Sequence, residues 1–282
     1  MKRKRADGKT IKINDPMYSV ISYIMDKRVD SMNMTTVDIP LDPLTAYIHK
    51  MRREKGMVFS YMGIFLAAYL RTASEYPALN RFVINKRVYA RNEFCVGLVV
   101  LKTDADHGIM SKIYFDMTDT IFDVQRKIDE YIEENRTSET DNKTEKMLNV
   151  LLNVPGLPNL AVGLFKFMDK HNMLPKSVID ASPFHESLLL SNLASIRTNH
   201  IYHHVYEFGT TSMSVTMGNP RIVPRLKRDE VVFEHTLPLG VVMDERICPG
   251  SYFAAVFKRL TQYLKNPALL EVPPEKVNYD PT

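Results

Sequence analysis

Apolar residues recur along the chain with two alternating spacings, and these divide it into helices and strands. Asp15-Pro16 marks the entry to ordered structure, and Met17–Asp26 reads as a short apolar helix. Met34–Ile39 alternates, with Met34, Thr36 and Asp38 against Thr35, Val37 and Ile39, as a half-buried strand does. Leu41–Glu54 and Met57–Glu75 read as helices. In the second, Met57, Tyr61, Ile64, Phe65, Ala68 and Thr72 form one core-facing stripe, and Pro77 ends it. Short β-branched or aromatic runs follow at Phe82–Ile84, Val88–Ala90, Cys95–Leu101 and Ile113–Phe115, with turns at Asn85-Lys86 and Asp104–Gly108. Phe122–Ile132 is amphipathic, whereas Glu133–Lys146 holds no apolar residue and reads as an exposed loop or helix end. Met147–Leu152 and Leu160–Met168 are apolar helical segments split by Pro155 and Pro158. Leu188–Leu190, Ser212–Met217, Glu230–Phe233 and Leu239–Met243 read as strands, and Tyr252–Leu264 as a closing amphipathic helix before a Pro-rich tail. No internal repeat emerges. Helices and strands alternate in the first half and strands cluster in the second, so the class is α/β with a mixed sheet.

Composition narrows the setting. A chain of 282 residues can bury one large core, and no apolar stretch approaches the roughly 20 residues that span a bilayer. The charged N-terminus lacks the apolar core of a secretory signal. Two cysteines, Cys95 and Cys248, argue for reduced thiols and a cytoplasmic location. The net charge of +4 misleads, because residues 1–12 carry +5 and leave the rest at −1. Lys2–Arg5 reads as an arm for nucleic acid or an anionic membrane, or as a solubilising head, and the second reading is preferred. No later basic run interleaves with aromatics, so neither nucleic acid nor membrane is expected as a partner. The domains expected are a basic flexible head over 1–14, a single domain over 15–271 and a Pro-rich tail over 272–282.

Few residues offer chemistry. His200, His203 and His204 are the one histidine cluster. If helical, His200 and His204 share a face, but no cysteine completes a metal set, and no metal is expected. A partly exposed loop is the simpler reading. Leu160–Met168, with Phe165 and Phe167, reads as core or subunit contact rather than as a membrane-lying helix. Sixteen methionines suit gap-filling in a core.

The most informative stretch is Leu237–Leu270, LPLGVVMDERICPGSYFAAVFKRLTQYLKNPALL, an apolar strand, a polar turn and an amphipathic helix. It resembles the chloramphenicol acetyltransferases and the catalytic domain of the acyltransferase component of 2-oxo acid dehydrogenase complexes. Their turn carries His-x-x-x-Asp-Gly. Asp244, Arg246, Ile247 and Gly250 fit that frame, while Glu245 stands at the histidine and Pro249 at the aspartate. Glu75–Asn80 (EYPALN), Gly97 within Cys95–Val100, Ser191-Asn192-Leu193, Ser214–Gly218 (SVTMG) and Asn266-Pro267 resemble further motifs in the same order.

The resemblance implies a two-layer fold, a mixed β-sheet packed with helices, assembled as a homotrimer with sites in channels between subunits. It also implies acyl transfer from a coenzyme A or lipoyl thioester to a small hydroxyl or thiol acceptor. The histidine would be the base and a serine, here Ser191, the oxyanion donor. With only a short head before the domain, no covalent lipoyl group is expected. Glutamate is ordinarily a weaker base than imidazole by roughly two pKa units, and proline offers no carboxylate. Acyl transfer is therefore expected to be lost or altered, with Glu245 the residue at the base position. His203 or His204, after the Ser-Asn-Leu match, is a substitute base to consider. Arg28 is the candidate arginine to brace the turn. The alternative is a non-catalytic ligand-binding or assembly protein on the same trimeric scaffold.

Overall fold

The computed structural model describes residues 5–101, 108–137, 153 and 155–281. The expected turn at Asp104–Gly108 and the helical segment Met147–Leu152 lie largely or wholly outside these residues.

Asp15 caps the first helix, α1 (Pro16–Ile24), its carboxylate accepting from Met17 N at 2.9 Å, with Pro16 in the first turn. A one-turn helix α2 (Arg28–Ser31) leads into β2 (Met32–Pro40), then α3 (Leu41–Lys55) and α4 (Tyr61–Glu75). Ser60 caps α4 by accepting from Gly63 N. The sequence promised one apolar stripe on α4, yet Gly63–Ser74 is buried without a break. The helix runs through the middle of the molecule, with α5 (Ile121–Thr137) on one flank and the last helix, α8 (Gly250–Lys265), on the other.

These helices cover one face of a seven-stranded mixed sheet, six of whose strands run in the order β2-β10-β8-β7-β5-β6 while the seventh, β9 (Arg221–Lys227), pairs with β10 alone. Its members are β5 (Phe94–Leu101), β6 (Gly108–Phe115), β7 (Leu188–Asn192), β8 (Met213–Met217) and β10 (Glu230–Asp244). Pairings β5–β7 and β7–β8 are parallel, and the remainder antiparallel. Alternate residues of each strand, such as Leu188, Leu190, Met213, Val215, Leu239 and Val241, enter the core beneath the helices. This is the two-layer α/β arrangement expected.

The opposite face is lined by small residues and roofed by backbone. At Gly240 a Cβ would stand 2.1 Å from the Ile201 carbonyl, so the 197–211 segment can lie flat on the sheet only over glycine. At Gly97 a Cβ would meet Glu186 Oε2 at 1.8 Å.

Glu230–Phe233 and Leu239–Met243 were expected as separate strands and are one. The first half of β10 pairs with β9 (Arg221–Lys227), the second with β2 and β8. The sequence hid β9 because Pro224 interrupts it, which is tolerated at a sheet edge. Its turn, Arg228-Asp229, takes the left-handed conformation without a glycine.

Both ends of the described chain join the fold. From Arg5 onward the head packs on the domain: β1 (Gly8–Thr10) pairs with β4 (Arg87–Arg91), which pairs with β3 (Arg81–Ile84). Arg5 is buried because Asp7 and Asp169 neutralise it. The tail is also fastened: Asn278 N donates to Ser74 O at 2.8 Å, and Asp280 pairs with Arg81. Next comes α6 (Leu157–Lys170), followed by α7 (Lys176–Ala181). Leu160, Leu164 and Phe167 are exposed on one chain, which leaves subunit contact, of the two readings of this segment, as the one that fits. The helix is held by the buried Asp169, which faces Arg5 and His185.

Candidate active site

The turn from β10 into α8 carries the chemistry, and its geometry starts from Asp244. This carboxylate is fully buried. Its Oδ1 accepts from Ser31 Oγ at 2.9 Å and from Arg246 N and Nε, its Oδ2 from Arg246 Nη2 at 2.7 Å. Arg28 Nε approaches the same Oδ2 at 3.7 Å. Both guanidiniums are buried, and the others of their nitrogens donate to the carbonyls of Met25, Asp26, Val83, Tyr206 and Glu207. Arg28 thus faces Asp244 rather than position 249, where Pro249 is exposed at the N-cap of α8. The sequence contained this solution in Asp244 and Arg246, but only the fold shows that the residue before Glu245 anchors the turn.

Glu245 is half-buried. Its amide continues the sheet ladder to Ser31 O at 2.9 Å, and its carbonyl accepts from the Tyr18 hydroxyl of α1. Its side chain reaches back to the edge strand β2, where Asn33 Nδ2 donates to Oε2 at 2.6 Å. Asn33 and Tyr18 were not anticipated. Ile247 and Cys248 point into the core, and burial pushes the Cys248 thiol up to about 12, so it is inert.

Ser191 lies elsewhere. It pairs with Thr216, which pairs with Gly240, five residues before Glu245 on β10. Strand rise places roughly 16 Å of sheet between the two levels, so one chain does not bring Ser191 to Glu245. Beside Ser191 a cavity of about 350 Å³ opens at the sheet end, lined by Tyr61, Asn192, Ser195, Met217 and Leu237 among others.

His203 and His204 lie in irregular, extended chain and stack on each other, ring centroids 5.2 Å apart, with His203 Nδ1 on the His204 carbonyl oxygen. Neither contacts Glu245 or Ser191. His200 is more engaged: its Nε2 meets Thr36 Oγ1 at 3.1 Å, and Tyr202 shares that hydroxyl at 2.7 Å. Thr36 is on β2, three residues from Asn33. Among the described residues no three potential metal ligands converge, and no helix is long and apolar enough to cross a membrane.

No protein-family model and no curated protein matches the sequence. Solved structures match the fold over nearly its whole length. The cubic core of the pyruvate dehydrogenase multienzyme complex superposes with a TM-score of 0.60 at 13% identity, covering 92% of this chain and 94% of that one. The Azotobacter vinelandii dihydrolipoamide acetyltransferase gives 0.59 at 13% identity with the same coverage. That enzyme's structure was determined to examine a serine, a histidine and an asparagine in its catalytic mechanism. A chloramphenicol acetyltransferase gives 0.53 at 10%, covering 91% of this chain and 99% of that one. The chain therefore has the chloramphenicol-acetyltransferase-like fold seen in the catalytic domains of dihydrolipoamide acetyltransferases.

Proposed function

We propose that this chain is an acyltransferase-type protein that holds a coenzyme A or lipoyl thioester and a small hydroxyl or thiol acceptor in channels between three copies, with transfer lost or altered because Glu245 occupies the base position. The observation that carries this reading is the 2.6 Å hydrogen bond from Asn33 to the Glu245 carboxylate, on the turn between the apolar strand and the last helix. That amide N–H occupies the carboxylate oxygen on which a base would have to receive the acceptor's proton. The sheet register supports the intersubunit channel, since Ser191 can serve Glu245 only from another copy. The second reading, a non-catalytic binding or assembly protein, is favoured by the buried Asp244 cluster. That cluster keeps the turn in shape without a carboxylate at 249.

With acetyl-coenzyme A and either chloramphenicol or dihydrolipoamide, negligible turnover is expected, unchanged by Glu245→Gln. Glu245→His is expected to raise transfer at least about 100-fold, the usual contribution of a placed base. Pro249→Asp should add little, because position 249 is exposed and Arg28 already faces Asp244. A folded Glu245→His variant that binds acetyl-coenzyme A without any gain would favour the second reading. Multi-angle light scattering should give three times the 32.5 kDa chain mass, and a stable monomer would remove the intersubunit site altogether.

A further inference from the structure

A second cavity, of about 310 Å³, lies behind the turn and away from Glu245's side-chain partner Asn33. Cationic residues from separate elements converge on it: Lys27 and Arg28 around α2, Lys86 at the β3–β4 turn, Lys166 and Lys170 from α6, and Arg246. Three acids also line it, and each is engaged. Asp169 pairs with Arg5 and His185, Glu207 accepts from Arg28 N at 2.6 Å, and Asp26 pairs with Lys86 at 3.2 Å. Arg28 and Arg246 are committed to Asp244 and to carbonyls. Lys27, Lys166 and Lys170 remain, exposed and with no ion-pair partner among the described residues. The cavity mouth thus carries about three uncompensated positive charges.

Folding alone does not favour this arrangement. Lys166 and Lys170 stand at i and i+4 on one helix, where like charges repel. The helix dipole offsets that for Lys170 in the last turn, but not for Lys27 or Lys86. Lys86 has φ +62°, in a two-residue hairpin turn where glycine is the favoured residue. A lysine there accepts backbone strain, and its ammonium, paired with Asp26 and lying over the Tyr23 ring, stands at the same opening.

We propose that this cavity binds a phosphate-bearing anion of about diphosphate size, through Lys27, Lys86, Lys166 and Lys170. Ammonium groups on flexible stems suit phosphate as point charges, and the volume lies at the lower end of the range for small-ligand sites. The site stands apart from the acyl-transfer reading and does not need it. The phosphate belongs to a soluble ligand or to a lipid headgroup, and both present the same chemistry.

Titration calorimetry with inorganic pyrophosphate is the test, on the full chain at low and moderate salt. Sub-millimolar binding is expected, weakening with salt and by about tenfold or more in Lys166→Gln/Lys170→Gln. Lys50→Gln, on α3, should bind as the wild type does. Circular dichroism would establish that each variant is folded, and Lys27→Gln/Lys86→Gln gives an independent pair from other elements. Co-sedimentation with phosphatidylcholine vesicles containing phosphatidic acid, competed by pyrophosphate, assigns the phosphate to a lipid. Pyrophosphate binding without sedimentation assigns it to a soluble ligand. Absence of pyrophosphate binding, or binding that both lysine pairs leave untouched, overturns the site.

Discussion

Replacing Asp244 with alanine is expected to destabilise the protein by about 3–5 kcal/mol, the range for removing one partner of a buried ion pair. The reason is arithmetic of charge in a dry place. Asp244 is the carboxylate that Arg28 and Arg246 share, and both guanidiniums are almost wholly shielded from water. Burial already pulls the Arg28 guanidinium below its ordinary value, with Asp244 opposing. Without that carboxylate, Arg246 Nε and Nη2 lose their acceptor and two cations remain in the interior. Set against a typical total of about 5–15 kcal/mol, the loss is a large fraction. Thermal unfolding followed by circular dichroism should show a fall of roughly 10 °C or more. Glu245→Ala, at a half-buried site, should stay within about 0.5 kcal/mol of the wild type. Similar melting of both variants would mean that the cluster does not hold the turn.

A second large effect is expected from Glu186, as a dependence of stability on pH. This side chain is buried on the sheet face beside Gly97, and its Oε2 has no hydrogen-bond partner among the described residues. Burial pushes its carboxyl up to about 8 from an ordinary 4.5, with Lys112 and Arg91 opposing. Below 4.5 both the folded and the unfolded chain hold the proton. As the pH rises, the unfolded chain releases it first, so the folded state loses about 1.4 kcal/mol per pH unit until the folded group also ionises near 8. Glu186→Gln mimics the neutral acid and should remove this slope. It should match the wild type at pH 4–5 and exceed it by several kcal/mol at pH 8, in urea unfolding at each pH. His185 acts in the opposite direction: burial lowers it, with Asp169 opposing, so its contribution is lost as the pH falls below its ordinary 6.5. The difference between variant and wild type isolates Glu186 from this. Equal stability of the two proteins at both pH values would show that the carboxyl is not neutral in the fold.

Much of the architecture was legible because it depends on local spacing. Alternation revealed β2, and helical steps revealed α4 and α8, each within a few residues of its observed bounds. The β9 edge was hidden by Pro224, and β10 looked like two strands because its halves serve different neighbours. At the turn, Glu245, Pro249 and Arg28 were readable as departures from a motif. That Asp244 receives Arg28, and that Asn33 holds Glu245, depends on pairings between residues about 210 positions apart. No local pattern records these. The burial of Arg5 was hidden for a related reason. The charges of the head read as solvent-facing until Asp169 and Asp7 are seen to enclose Arg5.

The position of β2 has a consequence for how the chain is made. Its one neighbour in the sheet is β10, which begins roughly 200 residues later in the sequence. At about 5–20 residues per second of synthesis, β2 emerges some 10–40 seconds before β10 exists to pair with it. The central helix α4, apolar around most of its circumference, waits with it. The sheet therefore closes late, from its C-terminal strand. During that interval the nascent chain presents an open strand edge and an unsheltered apolar helix, the features that recruit chaperones to a growing polypeptide.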